Sequence, residues 1–196
     1  EESEKEEKEK REEGLRRFQE WCRKRTFESK RWVPFAKGGQ YSPYYADIHL
    51  VVNWENDGQE IRDFADPSTG RTYSRPQNTD FYFRPGLTWP LRTQRGFNMR
   101  AYAAGAVFGH KGPACLTDSD LYALLPVVNS TACAGLVSLQ MCFGSYEVGV
   151  IQRTPIPSLD DKDVVRTLNA WCAIVLNTRI GIDSADETSH AFHLPT

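Results

Sequence analysis

The stretch that decides the fold spans residues 81–117 and reads FYFRPGLTWPLRTQRGFNMRAYAAGAVFGHKGPACLT. Short runs of aromatic and small apolar residues are separated there by Pro85-Gly86, Arg95-Gly96, Gly105 and Gly112-Pro113. Such runs, cut by glycine and proline, predict short strands joined by tight turns. The same stretch contains no Asp or Glu, although the 196-residue chain carries 26 of them against 24 Lys and Arg. Its charges are Arg84, Arg92, Arg95, Arg100 and Lys111, with His110 beside the last and Phe81, Tyr82, Phe83, Trp89, Phe97 and Tyr102 between them. A phosphate backbone attracts cations and repels carboxylates, so a nucleic-acid face should have this composition. An ordinary β-rich core whose few charges are positive would share it.

Working upstream, residues 49–54 (HLVVNW) read as a strand that runs into Glu55-Asn56-Asp57-Gly58, a turn signal through its Asp-Gly pair. Lys37-Gly38-Gly39-Gln40-Tyr41 marks a loop, and residues 65–77, rich in Pro, Ser, Thr, Gly and Asp, mark an exposed one. Residues 1–31 hold ten acidic and eleven basic residues. Leu15, Phe18 and Cys22 recur there at helical spacing with Trp21 beside them, which predicts a solvated helix with one narrow apolar stripe. The net charge of -2 is therefore an average over unlike regions.

Downstream, Thr117-Asp118-Ser119-Asp120 predicts a helix N-cap, with a short helix to Leu125 interrupted by Pro126. Asn129 or Ser130 is placed to cap a second helix reaching about Met141. Residues 144–152 read as a strand, and Pro155-Ile156-Pro157 as a rigid exit. Ser158 is expected to cap a final helix with Asp160, Asp161 and Asp163 in its first turn and Val164, Leu168, Trp171, Cys172 and Val175 as its buried face. From Gly181 onward the chain reads as polar and loosely held. The expected class is α+β: a twisted, mostly antiparallel sheet with peripheral helices, preceded by a charged N-terminal helix and followed by a C-terminal one. The expected divisions are a helical extension (1–31), a central domain (32–157), and a C-terminal helix with its tail (158–196).

No run of 18 apolar residues is present, so no membrane partner is expected. No secretory signal opens the chain, and its five cysteines, none in a C-x-x-C pair, predict free thiols in a reducing cytoplasm. A first residue of Glu1 rather than Met leads to the expectation of a fragment of something larger. No phosphate-binding G-x-x-x-x-G-K-[ST], G-x-G-x-x-G or G-x-S-x-G motif is found. Cys115, Cys133 and Cys142 lie 18 and nine residues apart, which is not zinc-site spacing, and His190 with His193 is a weak metal pair. No catalytic motif is legible.

Several strings recur in a specific order: residues 32–40 (WVPFAKGGQ), 51–58 (VVNWENDG), 83–93 (FRPGLTWPLRT), 107–113 (VFGHKGP), 121–130 (LYALLPVVNS) and 144–157 (GSYEVGVIQRTPIP). Together, over about residues 32–176, they resemble the target-recognition region of type IIG restriction–modification and BREX/Pgl-type adenine-specific DNA methyltransferases. The exit through residues 144–157 into a helix also resembles the end of recognition domains in type I specificity subunits. The resemblance implies a prokaryotic phage-defence setting and double-stranded DNA as partner. It also implies an upstream methyltransferase domain using S-adenosylmethionine. The Asn-Pro-Pro-Tyr motif of that domain is absent, so no cofactor is expected in this chain.

A recognition domain holds phosphates first and then reads base edges. Lys37, Arg84, Arg92, Arg95, Arg100 and Lys111 are the candidate phosphate contacts, and Gln40 or Gln94 could take adenine bidentately. Thr93 lies in the same basic run as Gln94. Gly38, Gly39, Gly109 and Gly112 allow close backbone approach. Ser145, Tyr146 and Arg153 flank a segment that could meet DNA, and Trp89 is a candidate for base stacking. Arg84 and Arg153 read equally as ion-pair partners, and Trp89 and Tyr146 read first as core packing. The alternative function is a protein-interaction or scaffold domain docking through its terminal helices; a stand-alone nuclease is a weaker third reading.

Overall fold

The computed structural model describes residues 2–117, 120–141 and 144–193. Among these described residues the fold is α+β, with six α-helices and two small three-stranded sheets where a single sheet was expected. Among the described residues no single helix is long and apolar enough to cross a membrane. The chain divides into two compact units, neither continuous in sequence. The first comprises Glu1–Phe35, Val51–Pro85 and Ala103–Val107; the second comprises Ala36–Leu50, Gly86–Tyr102 and Phe108–Thr196.

In the first unit, the Glu- and Lys-rich start forms helix α1 (Glu2–Glu28). Its inner side is more polar than the expected stripe. Gln19 Nε2 donates to the carbonyls of Asp80 and Tyr82 at 3.1 and 2.8 Å, and Arg23 Nη2 donates to Thr79 O at 3.2 Å. Thr26, on the same side, is buried. Phe18 and Trp21 instead stay exposed, their rings 5.5 Å apart, with Arg25 over the Trp21 ring. Strands β1 (Trp32–Ala36) and β2 (Val51–Asn53) pair antiparallel, Val33 opposite Val52, in a sheet ordered β2-β1-β5 with β5 at Val107–Phe108.

The Asp-Gly signal after β2 marks a tight turn that opens helix α2 (Glu55–Arg62). Asn56, Asp57 and Gly58 are all left-handed, with φ of 51, 55 and 77°. Only glycine takes that conformation without strain. Asp57 is held by Thr26 Oγ1, which accepts its N–H at 3.0 Å, and by Arg62, which donates to its carbonyl and carboxylate at 2.9 and 3.1 Å. The buried Trp54 ring lies where a Gly58 Cβ would sit, at 2.8 Å.

The second unit is built on strands β3 (Gly86–Thr88), β4 (Arg100–Tyr102) and β6 (Ala114–Cys115) in the order β4-β3-β6, both pairs antiparallel. Leu87, Trp89, Phe97 and Met99 pack against Leu124, Leu125 and Val128 of α3 (Leu121–Val128), Cys133 and Val137 of α4 (Thr131–Leu139), Tyr146, and Cys172 of α6 (Lys162–Asp183). Asp120 caps α3, accepting from the N–H groups of Tyr122 and Ala123, and takes a 2.7 Å bond from Asn169 of α6. Asp118 and Ser119 of the expected cap lie outside the described residues. Helix α3 runs through Pro126 to Val128 rather than stopping there. The proline removes one hydrogen bond, while Leu124, Leu125 and Val128 remain buried around it.

Further expectations are corrected. Residues 144–152 are not a strand: Ser145 and Tyr146 belong to no helix or strand, and Val148–Arg153 forms helix α5. The final helix is capped by Asp161, whose carboxylate accepts from the N–H groups of Asp163 and Val164, and it continues past Gly181 to Asp183. Its buried seam centres on Cys172, while Val164 and Trp171 face solvent. The segment beyond it is tethered, since the backbone N–H of His190 donates to Asp47 at 3.3 Å and its Nδ1 lies 3.1 Å from the same carboxylate.

Candidate nucleic-acid interface

Three turns of the second unit carry three of the basic residues singled out from the sequence, Lys37, Arg95 and Lys111. Lys37, Gly39 and Gln40 are exposed in the first, with Gly38 half-buried. The second spans 93–96: Thr93 Oγ1 accepts the Arg95 N–H at 3.1 Å, Gly96 has φ 103°, and Gln94 and Arg95 point into solvent. The third is closed by Gly112 N–H donating to Gly109 O at 2.9 Å, which leaves His110 and Lys111 exposed at its tip.

Glycine brings the first and third turns together. Gly38 N–H donates to Lys111 O at 3.1 Å. A Cβ on Gly38 would meet that carbonyl oxygen at 2.4 Å, and one on Gly112 would lie 2.5 Å from Gly38 N and 2.7 Å from Ala36 O. Only residues without a side chain let the two backbones lie this close. The contact brings the backbones of Lys37 and Lys111 together along the joined loops. Leu91 N–H reaches the same Lys111 carbonyl at 3.5 Å, and Leu91 O accepts the Tyr146 N–H at 2.7 Å. Next along the chain, Arg92 is exposed and its Nε donates to Ser145 Oγ at 2.7 Å. Four segments distant in sequence thus meet, three of them carrying an exposed cation, Lys37, Arg92 or Lys111. Among the described residues, none of Lys37, Arg92, Arg95 and Lys111 pairs with a carboxylate.

Four of the side-chain candidates from the sequence, Arg100, Trp89, Tyr146 and Ser145, lie inside. Arg100 is 6% exposed and donates from Nη2 to Gly38 O at 2.6 Å and from Nη1 to Gln40 O at 3.1 Å. Burial lowers its affinity for the proton below the ordinary arginine value, yet a guanidinium stays charged in proteins. Its counter-charge is carbonyl dipole rather than carboxylate. Trp89 and Tyr146 are 2% and 4% exposed; the indole Nε1 donates to Tyr146 O at 2.8 Å, and the Tyr146 ring lies 5.3 Å from Phe97. Both stand in the core, leaving no face for a base. Ser145 is likewise buried beneath Arg92. Arg153 is exposed and turns its Nε onto Gly149 O of its own helix. Arg84 belongs to the first unit.

Asn98 and Leu91 were missed by sequence reasoning. Asn98 is fully buried, and its Oδ1 accepts the Ser42 N–H at 3.1 Å, anchoring the far end of the first turn. The signal was present in a lone amide between Phe97 and Met99 in an otherwise apolar run. Leu91 acts only through its backbone and carries no such signal.

No protein-family model matches the chain. It is similar to the adenine-specific methyltransferase PglX of Lacticaseibacillus casei (strain Zhang), 29% identical over 138 residues, which are 69% of this chain and 12% of that protein. It is similar also to the adenine-specific methyltransferase BrxX of Escherichia coli O9:H4 (strain HS), 27% identical over 132 residues, 65% of this chain and 10% of that protein. The chain spans about a tenth of the length of these relatives, which are adenine-specific methyltransferases.

Proposed function

We propose that this chain is a DNA target-recognition module of an adenine-specific methyltransferase acting in phage defence in the bacterial cytoplasm. In this reading it holds double-stranded DNA while a separate methyltransferase domain binds S-adenosylmethionine and carries out the transfer. Lys37, Arg92, Arg95 and Lys111 neutralise phosphates, and Gln40 and Gln94, beside Arg95, are the side chains placed to read base edges. An adenine to be methylated must leave the stack, so a module of this kind braces the duplex around the vacated position. The observation that carries the reading is that one compact unit presents three exposed basic turns, two of them in contact, whose Lys37, Arg95 and Lys111 pair with no carboxylate among the described residues. The similarity to two adenine-specific methyltransferases supports it.

The test is binding of the folded chain to a pool of random-sequence duplexes at low ionic strength, followed by selection for enriched sequences. Salt-dependent binding is expected, and its absence at low salt sinks the proposal. One observation favours a second reading, a docking module: α6 leaves Val164, Trp171, Ile174 and Ile182 exposed. Charge reversal at Arg92 and Arg95 separates the two, since it abolishes DNA binding in the first reading and leaves protein docking intact in the second.

A further inference from the structure

Arg100 does more than fill space under the first basic turn. Its two terminal nitrogens take the carbonyls of Gly38 and Gln40, so both oxygens point inward. A planar trans peptide holds its N–H opposite its C=O. The N–H of Gly39 shares a peptide plane with Gly38 O, and that of Tyr41 shares one with Gln40 O. Both therefore point away from Arg100. Neither has an acceptor among the described residues, and both residues are exposed. Gly39 has φ 129°, and a Cβ there would lie 3.4 Å from Arg100 Nη2. Lys37 precedes this pair of donors, and Lys111 is held beside it through the Gly38–Lys111 bond. Outward-turned amides in a turn, flanked by ammonium groups, make a concavity suited to anions.

Resting on the DNA-recognition reading, we propose that residues 37–41 form a phosphodiester-binding cradle. In it the N–H groups of Gly39 and Tyr41 donate to the oxygens of one backbone phosphate. The Lys37 and Lys111 ammonium groups neutralise that phosphate, and Arg100 is the positioning residue that turns the amides outward. Backbone donors carry no sequence information, so these two amides fix register on the duplex and leave base reading to side chains such as Gln40 and Gln94.

The experiment is amide-resolved NMR on the isotope-labelled full chain, titrated separately with inorganic phosphate and with a short mixed-sequence DNA duplex at low salt. The Gly39 and Tyr41 amides are expected to shift downfield with both probes and to respond first to the duplex. Arg100→Lys keeps the charge but replaces a two-pronged donor with a single point. It is expected to abolish those two shifts and to weaken duplex binding about tenfold. Duplex binding that moves other amides but leaves Gly39 and Tyr41 unmoved overturns the cradle and leaves DNA recognition standing. Absence of any duplex binding overturns the reading beneath it. Unchanged Gly39 and Tyr41 shifts in Arg100→Lys overturn the positioning role, and a variant that fails to fold leaves the wild-type titration to decide the cradle.

Discussion

Replacing Arg92 and Arg95 together by glutamine removes two of the four exposed cations assigned to phosphate, Lys37, Arg92, Arg95 and Lys111. Each phosphate neutralised on duplex DNA releases counterions and contributes about -0.9 to the slope of log K against log salt. Four contacts give a slope of about -3.6, so raising salt from 50 to 200 mM weakens the wild type roughly 150-fold. Two contacts give about -1.8 and a loss of roughly 12-fold over the same range. The slope separates charge from shape, because a substitution that only loosened the loop would weaken binding at every salt by a similar factor. Arg92 also gives up its bond to Ser145, a cost of about 1 kcal/mol, so the melting temperature must be read alongside. The assay is fluorescence anisotropy with a mixed-sequence duplex across a salt series. A double variant that remains folded and keeps the wild-type slope within about 0.5 refutes the assignment of these arginines to phosphate.

Three further outcomes follow from the packing. Gly58→Ala forces a Cβ into the Trp54 ring at a left-handed position and is expected to destabilise the chain by about 2–4 kcal/mol, read by chemical denaturation. Trp171→Ser is expected to change stability by no more than about 0.5 kcal/mol, because its side chain is 61% exposed; a loss of about 3–5 kcal/mol would show that it packs inside instead. The Cys172 thiol, fully buried in the second unit's core, is pushed up to about 11 by desolvation and by the Asp120 carboxylate. About one thiolate per thousand at pH 8 predicts no reaction with a thiol reagent until the chain unfolds, whereas half-buried Cys22 reacts in the native state; early labelling of Cys172 by mass spectrometry would contradict this.

The turns were legible because glycine announces itself locally: Gly58, Gly96 and Gly105 all take positive φ where the chain reverses. What the turns do together was not legible. The Gly38–Gly112 approach joins residues far apart in sequence, and nothing in either segment states that the other will lie against it. Arg100 looked like its neighbours Arg92 and Arg95, and only its place on β4, beneath the first turn, separates a buried cation from an exposed one. Of the expected α6 face, Leu168, Cys172 and Val175 do lie on the covered side, and only Val164 and Trp171 were misplaced, because Val164-Val165 and Trp171-Cys172 are adjacent apolar pairs. Packing against α3 selects Val165 and Cys172 from those pairs. Residues 144–152 read as a strand because Val148, Val150 and Ile151 favour one. With Tyr146 fixed on Leu91 and Trp89, the chain turns into α5 instead, so tertiary contacts overrode local preference.

The interleaving of the two units bears on how such a module could be exchanged between proteins. The chain passes from one unit to the other five times, at 35–36, 50–51, 85–86, 102–103 and 107–108. No single crossover within residues 36–107 transfers either unit whole, so a chimaera spliced there inherits two mismatched halves. New variants of this architecture are therefore expected to arise by point substitution and loop remodelling at exposed tips such as 93–96, with the interleaved segments inherited as one block. Under the proposed function, a library randomising Gln40 and Gln94 is accordingly a sounder route to altered sequence preference than grafting segments from a relative.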